Sequence, residues 1–277
     1  MEQILDGTFG GGGHSELICK KVGKDGRLIA IDADSDAIER SKKKKLSACG
    51  FDLVISNFRN LDLVLKERGV ATLNGALFDL GLSSYQLDES SRGFTFQKDQ
   101  PLKMTFHNEV GEDRLTAEEI LNNWDEQNLA DVIYGYGGEQ FSRRIANGIV
   151  EARKASPLKT TFELVKVIEK SVPNFYKNKK LHFATKTFQA IRIAVNDEMG
   201  ALREALFKVW FLLVSGGRLS VISFHELEDR AVKVFLKEMK VVNSAKIITK
   251  KPITPSDIEL SLNPRARSAK LRIAQKI

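Results

Sequence analysis

The sequence contains very little cysteine. Only Cys19 and Cys49 occur among its 277 residues. Two cysteines are too few for a framework of disulfides, and they do not have the spacing of metal ligands. We therefore expect both to be buried thiols, in a protein of a reducing compartment such as the cytoplasm.

Long apolar runs are also lacking. The longest candidate, residues 209–214, is far shorter than the roughly 20 residues that a membrane-spanning helix needs. The chain opens on a glycine-rich loop, which is unlike the charged and apolar regions of a signal peptide. These absences predict a soluble, cytoplasmic protein with no membrane partner.

The composition is that of a folded protein. Hydrophobic residues make up 42% of the chain, which is enough for one large domain or two modest ones and excludes a disordered chain. The formal net charge is +7. A basic surface attracts polyanions without specificity, so the charge points weakly to a nucleic-acid partner.

The amino terminus lacks both common nucleotide-binding glycine motifs. Five glycines fall within residues 7–13, but their spacing is not G-x-G-x-x-G and no Gly-Lys-Ser/Thr ending follows. The loop lies between a short apolar segment ending at Asp6 and a helical pattern beginning near Leu17. Its bare main chain suits close approach of a ligand. The spacing favours a small adenosine derivative and argues against an NAD-dependent oxidoreductase.

Acidic and aromatic residues follow the next predicted strands. Asp32 ends the apolar run at residues 28–31, where an acid commonly binds the hydroxyls of a ribose. Phe58 follows the third predicted strand and either lies against a flat base or belongs to the core. The fourth strand ends in Asp79. Strands that alternate with helices predict a parallel, doubly wound α/β sheet with its ligand at the carboxyl edge.

Helical patterns interrupt this sheet. Residues 82–104 mix polar and aromatic side chains without periodicity, which predicts a long loop, whereas residues 105–197 are largely helical in pattern. We therefore predict an α/β domain of residues 1–104 and 198–277 with a helical domain of residues 105–197 inserted. The apolar and basic alternation at residues 263–273 predicts an edge strand, whose basic residues either bind phosphate or protect the edge from aggregation.

Two kinds of catalytic centre find little support. His225 and the acids near it are explained more simply as a capped, charged helix start than as a metal site, because no further histidine or cysteine completes the ligands. Ser83 and Ser84 lack the G-x-S-x-G turn of a serine nucleophile. We expect no bound metal.

Six stretches of the sequence resemble the RsmH/MraW family of bacterial methyltransferases, which modify N4 of a cytosine in 16S ribosomal RNA. They occur in the family's order and cover nearly the whole chain. They are DGTFGGGGHS at 6–15, DLGLSS at 79–84, RGFTF at 92–96, TFQAIRIAVNDE at 187–198, GGRLSVISFH at 216–225 and NPRARSAKLR at 263–272.

The resemblance implies the cofactor S-adenosylmethionine, a class I (Rossmann-like) methyltransferase sheet, and a substrate-recognition domain inserted between its fourth and fifth strands. The implied partner is small-subunit ribosomal RNA or the 30S particle, bound by a monomer or a homodimer. Positions matching the cofactor contacts are Gly12, Gly13, His14, Asp32, Phe58, Asp79 and Gln86. Positions implied for substrate binding are Ser83, Ser84, Arg192, Asn196, His225, Arg265 and Arg267. Asp79 is our first candidate for the catalytic hydrogen-bond acceptor, a hypothesis based on its place beside the loop with Ser83 and Ser84.

The chain departs from the family pattern in four places. Lys103 stands where the family usually has an acid, Glu226 replaces a serine, and Gln140 replaces a glutamate. A segment of some twenty residues that usually precedes the glycine loop is missing, which suggests a truncated or misassigned start. The change at Lys103 motivates a second hypothesis, a ribosome-assembly factor that keeps the cofactor fold and the RNA-binding surface but has impaired activity.

Overall fold

The computed structural model describes residues 2–44, 46–107 and 115–277. Met1, Lys45 and residues 108–114, part of the predicted insertion, lie outside the described residues. The chain forms two compact units, one of Met1–Ser83 with Met199–Ile277 and one of Ser84–Glu198.

The first unit is built on one sheet. In the described part of the chain its seven strands are β1 Gln3–Asp6, β2 Arg27–Asp32, β3 Gly50–Ile55, β4 Leu73–Asp79, β5 Leu213–Ser223, β6 Ala245–Ile247 and β7 Lys270–Lys276. Their order is β3-β2-β1-β4-β5-β7-β6. Strands β1 to β5 are parallel, whereas β7 is antiparallel to both β5 and β6. This arrangement confirms the predicted class I, Rossmann-like methyltransferase sheet.

The helices are, in chain order, α1 Gly13–Val22, α2 Ala37–Lys42, α3 Leu61–Glu67, α4 Ser84–Asp88, α5 Ala117–Asn123, α6 Glu126–Gly137, α7 Ser142–Ala155, α8 Thr161–Ser171, α9 Asn174–Lys177, α10 Thr185–Asn196, α11 Glu198–Leu212, α12 Glu226–Val241 and α13 Asp257–Leu262. Two 3-10 turns, Phe58–Asn60 and Pro264–Ser268, complete the regular structure of the described ranges. The helices from α4 to α11 lie between β4 and β5 in sequence.

The core of the first unit lies on both faces of the sheet. Leu28, Ile29, Ala30 and Ile31 of β2 are all fully buried, as expected for a central parallel strand covered by helices on either side. Such strands are continuous apolar runs, which explains why β2 was recognisable in the sequence.

The expectation of two free thiols is wrong in this structure. Cys19 and Cys49 form a disulfide with their Cα atoms 5.2 Å apart. Cys19, on α1, is buried in a cluster with Phe9 and Leu28, and Cys49 packs against that cluster just before β3. The pairing arises because α1 lies against β2 and β3 is the neighbour of β2. A count of cysteines carries no information about this distance.

The prediction of a terminal edge strand is also wrong. Strand β7 lies between β5 and β6, and the sheet edges are β3 and β6. The guanidinium of Arg272 donates to both carboxylate oxygens of Asp229 on α12, at 2.6 and 3.1 Å, and Lys270 lies 3.5 Å from the same carboxylate. The basic residues of β7 are therefore accommodated inside the unit by a buried acid.

The second unit is helical in its described residues. Helices α5 and α8 each begin with a capping box, in which Thr116 or Thr160 pairs with the glutamate three residues later. Helix α10 ends at Asn196, because Asp197 adopts a left-handed conformation with φ of 44°.

Residues 84–104 belong to this second unit, whereas the sequence-based division placed them with the sheet. Part of the stretch is helix α4, where we expected only a loop. The segment near Gln100 is joined to the start of α8: the amide of Gln100 donates to Thr161 Oγ1, and the amide of Thr161 donates to the carbonyl of Gln100. These long-range hydrogen bonds decide to which unit the segment belongs.

Candidate active site

The carboxyl ends of three adjacent parallel strands carry acids. Asp6 ends β1, Asp32 ends β2 and Asp79 ends β4. Because the three strands are neighbours in the order β2-β1-β4, their carboxyl ends meet at one edge of the sheet, the edge at which open α/β sheets bind ligands.

The glycine loop presents bare main chain at this edge. Gly12 has φ of 74°, and a Cβ atom at this position would lie 2.6 Å from Phe9 Cζ. A Cβ on Gly13, the first residue of α1, would have no neighbour within 4 Å. Helix α1 has no side-chain cap. The amides of its first turn are therefore open to an electron-rich ligand.

Short hydrogen bonds hold the loop between β2 and β4. The amide of Phe9 donates to the carbonyl of Ile31 at 2.9 Å, and the amide of Asp79 donates to Thr8 Oγ1 at 2.6 Å. The loop is thus fixed by both neighbouring strands, and the Thr8 hydroxyl positions the main chain of Asp79.

Asp6 stabilises the glycine loop through hydrogen bonds of its own side chain. Its side chain is fully buried and accepts hydrogen bonds from Ser15 Oγ at 2.6 Å and from the amide of Thr8 at 3.1 Å. Burial raises the pKa of Asp6, and these hydrogen bonds offset part of that rise. With both oxygens used internally, Asp6 shapes the loop.

Asp32 is held by main-chain amides. Its Oδ2 accepts from Gly10 N at 2.7 Å, and its Oδ1 accepts from Asp34 N at 2.9 Å. Burial raises the pKa of Asp32 to about 6, against the opposing effect of both amides and of Arg40. Each carboxylate oxygen has a second lone pair, so Asp32 retains the capacity to accept from two hydroxyl groups.

Arg40 is a site residue that sequence reasoning missed. Its Nε donates to the carbonyl of Gly10 at 2.8 Å, and Nη1 lies 3.3 Å from Asp34 Oδ2. It thereby ties α2 to the glycine loop beside Asp32. No sequence signal separates it from Lys42, the exposed basic residue that follows in the same helix.

Asp79 has one engaged and one unengaged carboxylate oxygen. His14 Nε2 lies 3.4 Å from Asp79 Oδ2. This hydrogen bond raises the pKa of His14, while burial acts in the opposite direction. Asp79 Oδ1 is buried and has no hydrogen-bond partner among the described residues. A buried acceptor without a partner is costly, which marks this oxygen as a place for a ligand proton.

Phe58 lies in the 3-10 turn that directly follows β3. Asn57 caps this turn by accepting from the amide of Arg59. The ring of Phe58 meets that of Phe78 edge to face, with 5.7 Å between centroids, and is only partly buried. The ring therefore contacts the core through Phe78 but is not enclosed by it, so one part of the ring is exposed.

The other predicted residues of the first unit lie in different settings. Ser83 lies after β4 and is the last residue of the first unit before the second unit begins. His225 is the N-cap of α12, where it forms a capping box with Glu228, so the interpretation as a capped helix start is confirmed. Arg265 and Arg267 are exposed in the 3-10 turn before β7.

Four predicted residues belong to the second unit. Ser84 and Gln86 lie on α4. Arg192 of α10 pairs with Glu198 through hydrogen bonds of 2.7 and 2.9 Å. The Asn196 side chain accepts from the amide of Phe106 and donates to the carbonyl of Met104, both at 2.8 Å.

Arg192 and Asn196 are thus joined to other parts of their own unit, and their role toward substrate stays a prediction. Lys103, the departure from the family pattern, is exposed, and its main chain accepts a hydrogen bond from Ala117. Every helix in the described ranges falls short of the length and apolarity that a membrane span requires.

Comparisons with known proteins identify the family. The sequence model of the MraW methylase family matches residues 2–277. Ribosomal RNA small subunit methyltransferase H of Brevibacillus brevis is 45% identical over 289 residues, which cover 99% of this chain and 91% of that protein. The protein of that name from Heliobacterium mobile is 46% identical over 290 residues, with 99% and 92% covered.

Solved structures are less similar. An rRNA methylase from Streptococcus thermophilus aligns at 11% identity with a TM-score of 0.44, over 100% of this chain and 87% of that one. The sequence matches decide the assignment, because they extend over nearly the whole length of both proteins at more than 40% identity. The chain therefore belongs to the MraW methylase family.

Proposed function

We propose that this protein transfers a methyl group from S-adenosylmethionine to N4 of a cytosine in small-subunit ribosomal RNA. Family membership and the relatives named ribosomal RNA small subunit methyltransferase H support this function. The structural observation that carries the proposal is Asp79 Oδ1, a buried acceptor without a partner among the described residues.

The first unit has groups of the right kind for this cofactor. We assign the main chain of Gly12 and Gly13, with His14, to the amino-acid end, Asp32 to the ribose hydroxyls and Phe58 to the adenine. The open space at Gly13 and the remaining lone pairs of Asp32 support these roles. Gln86, on the second unit, is proposed as a further contact on the strength of the family resemblance alone.

The chemistry explains why an acceptor is needed. The lone pair of an exocyclic cytosine amine is conjugated with the ring, so the amine is a weak nucleophile. When bound, S-adenosylmethionine supplies a methyl group on sulfur; the N–C bond forms as the S–C bond breaks, and the S–C electron pair stays on sulfur. Positive charge develops on the amine nitrogen, which then has to lose one proton.

We assign Asp79 Oδ1 to accept a hydrogen bond from this amine and then its proton. An acceptor fixed in place before the reaction stabilises the charge that develops on nitrogen. Thr8 fixes the Asp79 main chain and His14 occupies Oδ2, so both contacts leave Oδ1 for the substrate.

Asp79→Asn tests the proposal. The amide retains the size of the carboxylate but loses its charge and its capacity to take a proton, so kcat for methyl incorporation into small-subunit RNA should fall by about 10²-fold or more. S-adenosylhomocysteine should still bind. The matched control is Asp25→Asn, which alters an exposed acid in the turn before β2. Wild-type activity in Asp79→Asn would remove Asp79 from the mechanism.

The form of the substrate and its compartment belong to the same proposal. We propose that the helical domain, predicted at residues 105–197, recognises small-subunit RNA as free RNA or within the 30S particle, in the cytoplasm. The net charge of +7 supports a polyanionic partner. Methyl incorporation measured on free RNA and on purified particles distinguishes the two substrates.

A further inference from the structure

A groove between α7 and α8 is separate from every residue assigned above. It lies within the second unit and has a volume of about 720 Å³. Helix α7 contributes Arg143, Arg144, Asn147 and Glu151, and helix α8 contributes Lys166, Lys170 and Ser171.

Close helix contact forms the floor of this α7–α8 groove. A Cβ atom on Gly148 of α7 would lie 2.3 Å from Ser171 Oγ and 3.4 Å from Val167 Cγ1. Ser171 Oγ donates to the carbonyl of Val167 and is thereby held in place. The two helices approach closely at this point, and the longer side chains on either side of it form the walls.

The walls are positively charged. Arg143, Lys166 and Lys170 are exposed, and none has an ion pair within the part of the chain that the structure describes. Arg144 lies 5.8 Å from the ring centroid of Phe141.

Among the described residues, Glu151 is the one acid that lines the groove. Glu151 is 2.6 Å from Lys154 on the same helix, so its charge is already compensated. The basic side chains therefore form an uncompensated patch along a concave surface, which attracts a polyanion.

Local helix stability does not explain the position of Arg143. Arg143 lies in the first turn of α7, which contains no acid, and a cation there is disfavoured by the helix dipole. Asn147 and Glu151 follow Arg143 at steps of four residues, and Lys166 and Lys170 have the same spacing on α8. Each set therefore occupies one helix face, and both faces line the groove.

We propose that the α7–α8 groove binds the sugar-phosphate backbone of the RNA substrate at a site separate from the methylated base. This inference rests on the proposed function. Arg and Lys side chains bind phosphate oxygens, and Asn147 adds a hydrogen-bond donor for phosphate or sugar. In the part of the chain that the structure describes, no aromatic side chain lines the groove. The groove therefore offers these residues no stacking platform for bases, and we expect its contribution to be independent of RNA sequence.

The experiment compares two variants that each lose three positive charges. The groove variant is Arg143→Ala, Lys166→Ala and Lys170→Ala. The control variant is Lys233→Ala, Lys237→Ala and Lys240→Ala, which removes exposed lysines from α12 in the other unit. RNA affinity is measured by fluorescence anisotropy at several salt concentrations with S-adenosylhomocysteine present.

The association constant for RNA falls as salt rises, so the slope of its logarithm against log salt is negative. Each lost phosphate contact makes this slope shallower by about 0.7 to 0.9. In the groove variant we expect the slope to become shallower by about 2, and Kd for RNA near 100 mM salt to rise by about tenfold or more. The control variant should change Kd by less than about threefold. S-adenosylhomocysteine affinity and the thermal midpoint should match the wild type in both variants.

Lys166→Arg with Lys170→Arg keeps the charges and should retain wild-type RNA affinity. Equal losses in the groove and control variants, or no loss in the groove variant, would overturn the proposal, even if the groove then proved to bind an acidic protein. The proposed function has its own readout. A wild-type protein that binds RNA through the groove but incorporates no methyl group would refute that function and leave the groove assignment intact.

Discussion

The titration of Asp32 gives a direct test of how this family member holds its cofactor. If the Asp32 carboxylate accepts hydrogen bonds from the ribose, S-adenosylhomocysteine affinity must depend on its ionisation. Its pKa is raised to about 6 by burial, which places the transition within an accessible pH range. We expect affinity to fall as the pH drops through this value, and Asp32→Asn to abolish that dependence.

The magnitude follows from the pKa. With a value of about 6, roughly 97% of the carboxylate is ionised at pH 7.5 and roughly 10% at pH 5. If only the ionised form accepts both ribose hydroxyls, Kd rises by about tenfold between these pH values, which is about 1.4 kcal/mol. The asparagine side chain has one acceptor oxygen, so the variant should bind S-adenosylhomocysteine weakly at both pH values.

Protonation of Asp32 does not unfold the protein, so loss of folded protein through this residue does not account for weaker binding at acid pH. Because its folded pKa lies above the ordinary value of 3.8, its contribution to stability is fully present below pH 3.8 and is lost as the pH rises through about 6. Acidification therefore favours the folded state at this residue while it weakens the predicted cofactor contact.

Isothermal titration with S-adenosylhomocysteine at half-unit steps from pH 5 to pH 8 measures the effect. Asp25→Asn, an exposed acid in the turn before β2, is the matched control and should retain the wild-type profile. His14 also has a raised pKa and remains in Asp32→Asn. A tenfold pH effect that persists in Asp32→Asn would therefore refute the assignment of Asp32 and point to His14.

Two further predictions concern stability. Replacing Cys19 and Cys49 by serine should lower the free energy of unfolding by about 3 to 4 kcal/mol, because the disulfide closes a loop with a sequence separation of 30. Urea denaturation of both proteins with and without reductant checks this. A difference of the same size under reducing conditions would contradict it. Asp229→Asn should cost about 3 to 5 kcal/mol, because the buried guanidinium of Arg272 loses its partner; the same denaturation should show a much smaller loss when Asn is combined with Arg272→Met.

The sheet and the edge to which we assign the cofactor were largely predictable from sequence. The fully buried run in β2 requires apolar residues at consecutive positions, and the bare loop before α1 requires glycine, most clearly at Gly12. Asp32 and Asp79 occur at strand ends, where the carboxyl edge of a parallel sheet places them together. These features depend on local conformation and on strand order, which leave a clear pattern in the chain.

Contacts between distant segments were not predictable in the same way. Arg40 joins Gly10 across 30 residues, and Asn196 joins Phe106 across 90. The disulfide between Cys19 and Cys49 and the interior position of β7 belong to the same class. None of these pairings leaves a periodic or compositional trace, because each depends on how separate elements pack.

The amino-acid order was therefore sufficient for the strands, the glycine loop and the acids at its edge, since backbone sterics and apolar periodicity act over a few residues. Tertiary packing was needed to leave Asp79 Oδ1 without a partner among the described residues, to raise the pKa of Asp32, and to line the α7–α8 groove with cations from two helices. Burial, hydrogen-bond geometry and local charge density are properties of atoms brought together from distant positions, and only the folded chain defines those distances.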